Sequence, residues 1–360
     1  MKILINISVI TQIYRGMGIF TKLIIKELIE NNESNYKYIF VSGNKLDQET
    51  FQLIINSKHT YRQINAPLPI FDQIIIPYLI KKYKPDISWF PANTFPIIMN
   101  SRTKYIATIH DLIFLMSEYK IPTIYQKIAS FYRVLNILIG VKRLRKITTV
   151  SKTTMRDLYS RLNISKKVDE NDIIYNSLLI INDGNVEIFK KLKLLSNDKY
   201  FYSIVGVGQH KNLDLLIESF NRFKTKNKNY KLIVSGDFYS KYNNIYKDII
   251  FTPFISDKEK NSLIKKAELF IFPSLAEGFG IPIIEGLFYN PKVLVSDIPI
   301  FREIGQNYVK YFDPYDRDFI TKYFDDKAIA INHEEAKNYI LETFNVKKSV
   351  KKLENIFSEL

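Results

Sequence analysis

The stretch FPSLAEGFGIPIIEG, residues 272–286, decides how this chain folds. The run Leu269–Pro273 has the apolar character of a short buried strand. Gly278 and Gly280 then supply a turn without β-carbons, and Pro282 suits the first turn of a helix because its missing N–H is not needed there. The stretch therefore predicts a strand, a tight turn and a helix in succession.

Two carboxylates frame this turn. Glu277 lies in the loop before the predicted helix, and Glu285 lies about one turn inside it. The amides and positive dipole at a helix N-terminus favour an anionic or hydroxyl-rich ligand such as a sugar phosphate, and each carboxylate can accept a pair of vicinal hydroxyls. The same pattern also fits a loop carboxylate and a first-turn glutamate that complements the helix dipole. The isolated stretch leaves both interpretations open.

The segment PSLAEGFGIPIIEG resembles the signature of retaining glycosyltransferases of the family 4 kind, with an EGFG-x-P turn and two glutamates separated by seven residues. Within that family, the chain looks like a bacterial O-antigen or capsule mannosyltransferase. The resemblance implies an α/β fold of the GT-B type, with two Rossmann-like parallel-sheet domains facing across a cleft. We accordingly expect an acceptor-side domain over 1–180, a nucleotide-sugar-binding domain over 181–345, and a last helix, about 346–360, that crosses back to the first domain.

Composition sets further bounds. A chain of 360 residues with 46% hydrophobic residues suits two domains of ordinary size. It contains no Cys, which excludes disulfides and thiolate metal sites. The N-terminus enters a strand-like run, Lys2–Ile10, without the pattern of a signal peptide, and no run reaches the roughly 20 apolar residues of a membrane span. We expect a cytoplasmic protein, with peripheral attachment to the inner face of the cytoplasmic membrane as an option.

Positive charge is concentrated in the first half of the chain. Residues 1–180 hold 25 Lys and Arg against 13 Asp and Glu, whereas residues 181–360 hold 27 against 24. A basic domain suits an anionic partner, such as a membrane with acidic headgroups or a nucleic acid. The alternative is a solvated lysine-rich surface without a partner. We expect an anionic membrane surface and no nucleic acid, because no nucleic-acid-binding module is apparent.

A small-residue turn follows the first predicted strand. Gly16 and Gly18 enter a helix whose apolar residues Ile19, Leu23 and Leu28 recur at helical spacing. Taken alone, this is an ordinary strand-to-helix turn. The family resemblance implies that the turn lets the donor phosphates and the acceptor approach the helix, with Arg15 as a possible contact to the diphosphate or the acceptor.

The sequence TIHD ends another predicted strand, Tyr105–His110. Ligands of open α/β sheets bind beyond the carboxyl ends of the strands, although a lone histidine at such a place is as readily structural. The resemblance implies that His110 is the active-site histidine, which approaches the donor sugar from the first domain. It also implies that Asp111 is the companion of this histidine.

An aromatic and basic helix is predicted over 123–145, and VKRLRK closes it. Cations suit a helix C-terminus, and their combination with Phe131 and Tyr132 also suits a membrane interface. A plain packed helix with solvated basic ends remains the alternative. The membrane candidates are four cations: Lys142, Arg143, Arg145 and Lys146.

In the second half, HKN precedes an amphipathic helix. Lys211 and Asn212 lie at the helix entrance, where a cation and free amides would neutralise a diphosphate, as the corresponding lysine does in the family. Relatives usually carry another cation shortly upstream, but residues 203–209 contain none. Either Arg15 reaches the diphosphate, or Lys211 and the backbone hold it.

The family resemblance also implies roles for the remaining candidate residues, as follows. Glu285 accepts the ribose hydroxyls, Glu277 and the backbone of Phe279–Ile281 orient the sugar, and His110, Glu277 and Lys211 form the catalytic set. The expected donor-binding residues are Gly16, Gly18, Lys211, Asn212, Glu277, Gly278, Phe279, Gly280, Ile281 and Glu285. The expected strand Ile173–Asn176 closes the first domain.

The function that these features predict is retaining transfer of a hexose from a nucleotide sugar to a lipid-linked or cell-surface glycan. GDP-mannose is the preferred donor, with a UDP- or dTDP-sugar as the alternative. No paired aspartates end a predicted strand, and Asp325 and Asp326 fall in a late polar segment, so no metal or other cofactor is expected. A GT-B epimerase or hydrolase of nucleotide sugars is the alternative enzyme, and a basic nucleic-acid-binding protein is a remote one.

Overall fold

The computed structural model describes the chain except for residues 12–15, 32–35, 117–123, 163, 165–167, 182–186, 196–197, 207, 237–246, 254 and 325–331. Arg15, Asp325 and Asp326, together with the predicted domain break at Asn182–Asn185, therefore lie outside the described residues. The chain divides into two compact units. The first takes in the described residues of 1–179 together with Phe344–Leu360, and the second takes in those of Ile180–Thr343.

Twelve named strands build two sheets of six strands each. The strands of the first unit are β1 (Lys2–Asn6), β2 (Lys37–Ser42), β3 (Thr60–Gln63), β4 (Ile87–Phe90), β5 (Lys104–Ile109) and β6 (Lys146–Thr149). Those of the second are β7 (Lys199–Ile204), β8 (Tyr230–Ser235), β9 (Ile249–Thr252), β10 (Leu269–Phe272), β11 (Val293–Ser296) and β12 (Lys310–Phe312).

Helices connect the strands. In the first half these are α1 (Gly16–Glu30), α2 (Gln48–Ile55), α3 (Leu68–Ile70), α4 (Ile76–Tyr83), α5 (Ile124–Leu135) and α6 (Lys152–Leu162). The later ones are α7 (Glu187–Lys191), α8 (Leu213–Lys224), α9 (Asp257–Lys266), α10 (Ile281–Tyr289), α11 (Pro299–Gly305), α12 (Phe319–Phe324), α13 (His333–Thr343) and α14 (Val346–Ser358). A π-helical turn, Phe71–Ile75, joins α3 to α4, and another, Asn136–Gly140, follows α5.

The first sheet has the strand order β3-β2-β1-β4-β5-β6, and every pairing is parallel. Its central strand β1 is buried from Ile3 to Asn6, as its continuous apolar sequence predicts for a parallel strand covered on both faces. The last helix α14 belongs to this unit. Its residues Leu353 and Phe357 are buried, and the Phe357 ring lies edge-on to that of Trp89, with 6.2 Å between the ring centroids.

The second sheet repeats this topology with the order β9-β8-β7-β10-β11-β12, again entirely parallel. The two parallel sheets confirm the predicted α/β class. In such an order the chain runs outward in one direction from the first strand and then reverses at the fourth. Loops leaving the carboxyl ends of β7 and β10 therefore flank one crevice, the point where α/β folds bind their ligands.

Two details of the sequence prediction were wrong. Ile173–Asn176 forms no strand, and Ile173 makes only an isolated parallel bridge to Thr149. The helix predicted over 123–145 is divided into α5, the π-helical turn and a 3₁₀ turn, Val141–Arg143. The predicted helix after β1 is present as α1, on which Leu28 is buried and Ile19 and Leu23 are half-buried.

Candidate functional site

The two loops at the β7–β10 crevice are joined by an ion pair. The Lys211 ammonium lies 2.6 Å from Oε1 of Glu277, and the Ser274 hydroxyl donates to the same oxygen at 2.8 Å. The amide of Leu275 also donates to the carbonyl of His210 at 2.6 Å. The structure thus brings together the two residues that the sequence motifs predict as diphosphate and sugar contacts.

The backbone of the β10–α10 turn needs its glycine. Gly280 has φ +94° and is the N-cap of α10, which begins at Ile281. A β-carbon at this position would strain the backbone and would lie 3.0 Å from Cε1 of Phe301. Phe279 is buried, and the contact of its backbone with a sugar stays a prediction. Gly278 lies beside Glu277 and is half-buried.

Asn212 starts α8 in a left-handed conformation, with φ 58°. Its side-chain amide donates to the carbonyl of Pro314 at 2.9 Å, which ties the helix entrance to the loop after β12. The side-chain amide group is thus engaged within the protein, and the part of Asn212 in donor binding stays a prediction.

Glu285 is held by a lysine that the sequence analysis did not single out. Lys260 of α9 donates to Oε1 of Glu285 at 2.6 Å and to Oδ1 of Asp257 at 2.6 Å. Burial works against the charged form of Lys260, but the two carboxylates outweigh it and raise the pKa of its ammonium. Burial raises the pKa of the Glu285 carboxyl, while Lys260 opposes that shift. Glu285 is therefore oriented by a buried ion pair.

Two neighbours fix the place of this ion pair. A β-carbon on Gly286 would lie 2.5 Å from Cδ1 of Phe270, so α10 packs directly on β10 at the residue after Glu285. The hydroxyls of Tyr202, Ser235 and Thr252 form a chain, each 2.8 Å from the next, across the carboxyl ends of β7, β8 and β9.

In the first unit, His110 follows β5 and is buried. Its Nε2 lies 2.9 Å from the carbonyl oxygen of Pro91, its amide donates to Oδ1 of Asn93 at 2.7 Å, and its ring lies edge-on to Phe20. Burial lowers the pKa of the imidazole to about 4. Because a carbonyl only accepts hydrogen bonds, the neutral ring carries its proton on Nε2 and leaves Nδ1 as an acceptor.

The other predicted residues of the first unit surround the same sheet edge. Asp111 is half-buried, and its Oδ1 accepts from the amide of Ile113 at 3.2 Å. Gly16 is the exposed first residue of α1, and Gly18 is buried on that helix. Arg15 lies outside the described residues. The roles of these residues toward a donor or acceptor stay predictions.

The four predicted membrane cations differ in their surroundings. Lys142, Arg143 and Arg145 are exposed, and the Arg143 guanidinium donates to the carbonyl of Ile97 at 3.0 Å. Lys146 instead lies in β6, and its ammonium pairs with Asp172 at 2.8 Å. Because Asp172 already engages this ammonium, we leave Lys146 out of the exposed cationic set.

Sequence reasoning missed Lys260, Asp257 and Ser274. The S-x-x-E capping signal at Ser256 correctly predicts the start of α9, but no sequence signal indicates that its next turn faces Glu285. Among the described residues, no group of three or more His, Cys, Asp and Glu is arranged to hold a metal ion. Nor does any described helix combine the length and apolar content that a membrane span requires.

Comparison with known proteins finds similarity to one family over part of the chain. The model of the glycosyl transferases group 1 family matches residues 185–354. The O-antigen chain mannosyltransferase RfbU of Salmonella typhimurium is 30% identical over 234 residues, 62% of this chain and 60% of that protein. A Campylobacter jejuni N-acetylgalactosaminyltransferase named for a diphospho-undecaprenol substrate is 26% identical over 246 residues, 64% of each chain. The matched stretch thus spans less than two thirds of either relative.

Solved structures share the fold over the whole chain. Anabaena HepE, crystallised with UDP and glucose, superposes with a TM-score of 0.71 at 14% identity, covering 100% of both chains. A glycosyltransferase from Rickettsia africae superposes with a TM-score of 0.68 at 16% identity, covering 99% of this chain and 98% of that one. These likenesses confirm the predicted GT-B fold class. Residues 185–354 of this chain are thus similar to the group 1 glycosyltransferases.

Proposed function

We propose that the protein transfers a hexose from a nucleotide sugar to a glycan acceptor and retains the anomeric configuration. The observation that carries this proposal is the Lys211–Glu277 contact, 2.6 Å long, at the crevice between β7 and β10. This contact supports the proposal, because a cation suited to a diphosphate lies beside a carboxylate suited to sugar hydroxyls, inside the region that matches the family model.

For the donor we propose GDP-mannose, with a UDP- or dTDP-sugar as the alternative. RfbU and the Escherichia coli protein WbdA, which is 38% identical over 66 residues, are both named as mannosyltransferases. For the acceptor we propose a lipid-linked or cell-surface glycan of O-antigen or capsule type, at the cytoplasmic side of a membrane. The name of the Campylobacter relative, which includes a diphospho-undecaprenol, supports a lipid-linked substrate.

The proposed chemistry is electrostatic and positional. The bond from the anomeric carbon to the phosphate oxygen breaks, the acceptor oxygen bonds to the same face, and its proton passes to the departing phosphate. Lys211 and the N-terminus of α10 stabilise the negative charge that develops on the diphosphate. Glu277 orients the sugar and Glu285 the ribose. The reaction needs no metal in this proposal, and His110 supports the sugar.

A nucleotide panel tests the donor site directly. GDP, UDP, dTDP and their hexose conjugates are each added at increasing concentration, and the melting temperature of the protein is followed. A ligand that binds the folded state selectively raises this temperature in proportion to the logarithm of its concentration above Kd. The variant Lys211→Gln should lose most of the shift, whereas Lys258→Gln, an exposed change on α9, should keep it.

Product analysis separates transfer from the alternatives. The donor that stabilises the protein is incubated with and without a polyprenyl-diphosphate-linked glycan. Transfer predicts sugar on the lipid-linked glycan, with the α configuration retained. Conversion of the nucleotide sugar at the same rate without any acceptor would instead indicate an epimerase or hydrolase. If none of the nucleotides stabilises the protein, the proposed function is wrong.

A further inference from the structure

Helix α5 and the π-helical turn after it expose a stripe of apolar side chains to solvent. Ile128 and Phe131 are each 64% exposed, and Leu138 is 48% exposed. Leu135 and Ile139 continue the stripe and are also exposed. The first four of these positions in chain order recur every three or four residues, so they lie along one side of the helical segment, and Ile139 is next to Leu138. An exposed run of five large apolar side chains is unusual on a protein surface that contacts only water.

The opposite side of this segment carries buried polar groups beside the buried Ile137. Asn136 is fully buried, where its amide group donates to the carbonyl of Phe95 at 2.6 Å and accepts from the amide of that residue at 3.2 Å. The Tyr132 hydroxyl points inward and donates to Oδ2 of Asp72 at 3.0 Å. Ser130 is buried as well. The segment thus keeps several large apolar side chains outside while polar side chains pack inside, unlike an ordinary surface helix, which places its apolar side inward.

A second apolar stripe lies on the helical segment that contains Asp72. Ile70, Ile74 and Tyr78 are exposed and follow one another at intervals of four residues. The side-chain amide of Gln73 joins this segment to α5, because its Nε2 donates to the Tyr132 hydroxyl at 2.8 Å and to the carbonyl of Phe95 at 3.0 Å. The two stripes therefore belong to helices that lie side by side.

The loop after β4 adds to the same surface. The amide of Ile97 donates to Oε1 of Gln73 at 2.8 Å, and its carbonyl accepts from Arg143 at 3.0 Å. The next residue, Ile98, is 76% exposed. We call this surface the apolar face, and its members are Ile70, Ile74, Tyr78, Ile98, Ile128, Phe131, Leu135, Leu138 and Ile139.

Cations surround the apolar face, and acidic residues are nearly absent from it. The segment 124–145 contains five Lys and Arg and no Asp or Glu. The segment 64–84 ends in three lysines, Lys81, Lys82 and Lys84, and its single acidic residue is Asp72, which is buried. The surface thus combines exposed apolar side chains with positive charge at the ends of both helices.

We infer that the apolar face docks on a lipid bilayer that carries anionic headgroups, with Phe131 and its neighbours among the acyl chains. Aliphatic and aromatic side chains gain by leaving water there, while the surrounding Lys and Arg reach the headgroups. A second copy of the chain fits less well, because two faces with this charge would repel each other. The inference extends the proposed function, since it brings the enzyme to the surface that holds a lipid-linked acceptor.

The variant Phe131→Trp reports insertion directly. The chain has a single tryptophan, Trp89, which is fully buried and gives a constant background. With vesicles containing an anionic phospholipid, the emission of the new tryptophan should shift to the blue. Acyl chains brominated near the headgroup should quench it. Purely zwitterionic vesicles should give a much smaller shift, and added salt should weaken the binding.

Loss-of-binding variants carry a matched control. The triple variant Ile128→Ser, Phe131→Ser and Leu138→Ser should lower partitioning onto anionic vesicles by tenfold or more. The control triple variant Ile180→Ser, Leu195→Ser and Leu341→Ser changes exposed apolar residues of the second unit and should partition like the wild type. Replacing Lys142, Arg143 and Arg145 by Gln should also weaken binding, most strongly at low salt.

Two controls keep this test separate from the donor site. Urea unfolding should show that both triple variants remain folded, and the nucleotide-induced thermal shift should be unchanged in both. The inference is wrong if the emission of Phe131→Trp ignores anionic vesicles, or if both triple variants partition equally. It is also wrong if sedimentation shows a dimer that only the apolar-face variant loses. Vesicle binding without any nucleotide effect would instead overturn the proposed function alone.

Discussion

Lys260 and Glu285 come from different helices, yet their charged atoms lie 2.6 Å apart within the second unit. Lys260 engages Oε1 of Glu285 and so holds the carboxylate in one orientation, which is what recognition of a ribose would require. We therefore regard Lys260 as a positioning residue for the proposed donor site.

Removing this lysine should be costly in two ways. Lys260→Met leaves Glu285 as a buried carboxylate without its cation, which should lower the free energy of unfolding by about 3–5 kcal/mol. Donor affinity should fall as well, because Glu285 becomes protonated or reorients. Urea unfolding and calorimetric titration measure the two effects. Lys258→Met, an exposed change on the same helix, should alter neither, and equal effects in both variants would contradict this role of Lys260.

Glu285 itself should matter for donor affinity. Glu285→Ala removes charge-assisted hydrogen bonds to the ribose worth about 1.5–3 kcal/mol, so the affinity should fall roughly 10- to 150-fold. Glu285→Gln keeps the shape of the side chain but removes its charge. Comparison of the two variants therefore separates the effect of lost charge from that of lost packing. Calorimetry with the donor found in the nucleotide panel measures both. If both variants bind the donor with unchanged affinity, Glu285 has a structural role and does not contact the ribose.

His110 should affect turnover more than nucleotide affinity. His110→Ala removes a group proposed to contact the sugar and leaves the nucleotide contacts unchanged, so kcat should fall while the thermal shift by the free nucleotide persists. Activity should also survive excess EDTA, because we propose no metal. Loss of activity on chelation, with recovery on addition of Mg²⁺ or Mn²⁺, would refute the metal-independent part.

The buried imidazole of His110 should also make the free energy of unfolding depend on pH in the acidic range. Its folded pKa is lowered to about 4, whereas an unfolded histidine titrates near 6.5. Above pH 6.5 neither state binds the proton, and His110 then adds no pH dependence. As the pH falls from 6.5 to 4, only the unfolded state gains the proton, which should lower the free energy of unfolding by roughly 3 kcal/mol. His110→Asn should flatten this part of the pH profile, and an unchanged slope would refute the assignment.

Gly286 should tolerate no side chain. The β-carbon of Gly286→Ala would lie 2.5 Å from Cδ1 of Phe270, so helix α10 must move away from β10. Such overpacking destabilises by about 1–3 kcal/mol, which outweighs the gain of up to about 1 kcal/mol in helix propensity. Donor affinity should fall with it, since Glu285 moves too. The double variant Gly286→Ala, Phe270→Leu should regain part of the lost stability and part of the lost donor affinity. Chemical denaturation measures the first and calorimetry the second.

The residues that could be predicted from sequence are those whose role depends on nearby chain neighbours. Gly280 and Pro282 predict the turn and helix because backbone conformation is a local property, and the continuous apolar run of β1 predicts a strand inside a parallel sheet. The spacing of Glu277 and Glu285, together with the family resemblance, predicted which loop would carry the site.

What sequence could not predict depends on partners distant in the chain. Lys260 meets Glu285 only because α9 and α10 pack together, and Lys146 turns inward because Asp172 lies beside β6. The exposure of the apolar stripe on α5 and the π-helical turn escaped prediction for a related reason. Apolar residues of this segment repeat at helical spacing whichever side faces the core, and the contacts of the buried Asn136 and the hydrogen-bonded Tyr132 show which side is inside.

The position of α14 bears on how the protein is made. The ribosome completes the β-strands of the first unit long before this helix exists, and until then Trp89 lacks the contact with Phe357 that it has in the finished fold. The Ser349 hydroxyl, which donates to the carbonyl of Tyr175 at 3.0 Å, also arrives late. The half of the chain that is synthesised first is therefore the half that matures last. Shortening the final helix would harm the N-terminal sheet rather than its own neighbours in sequence.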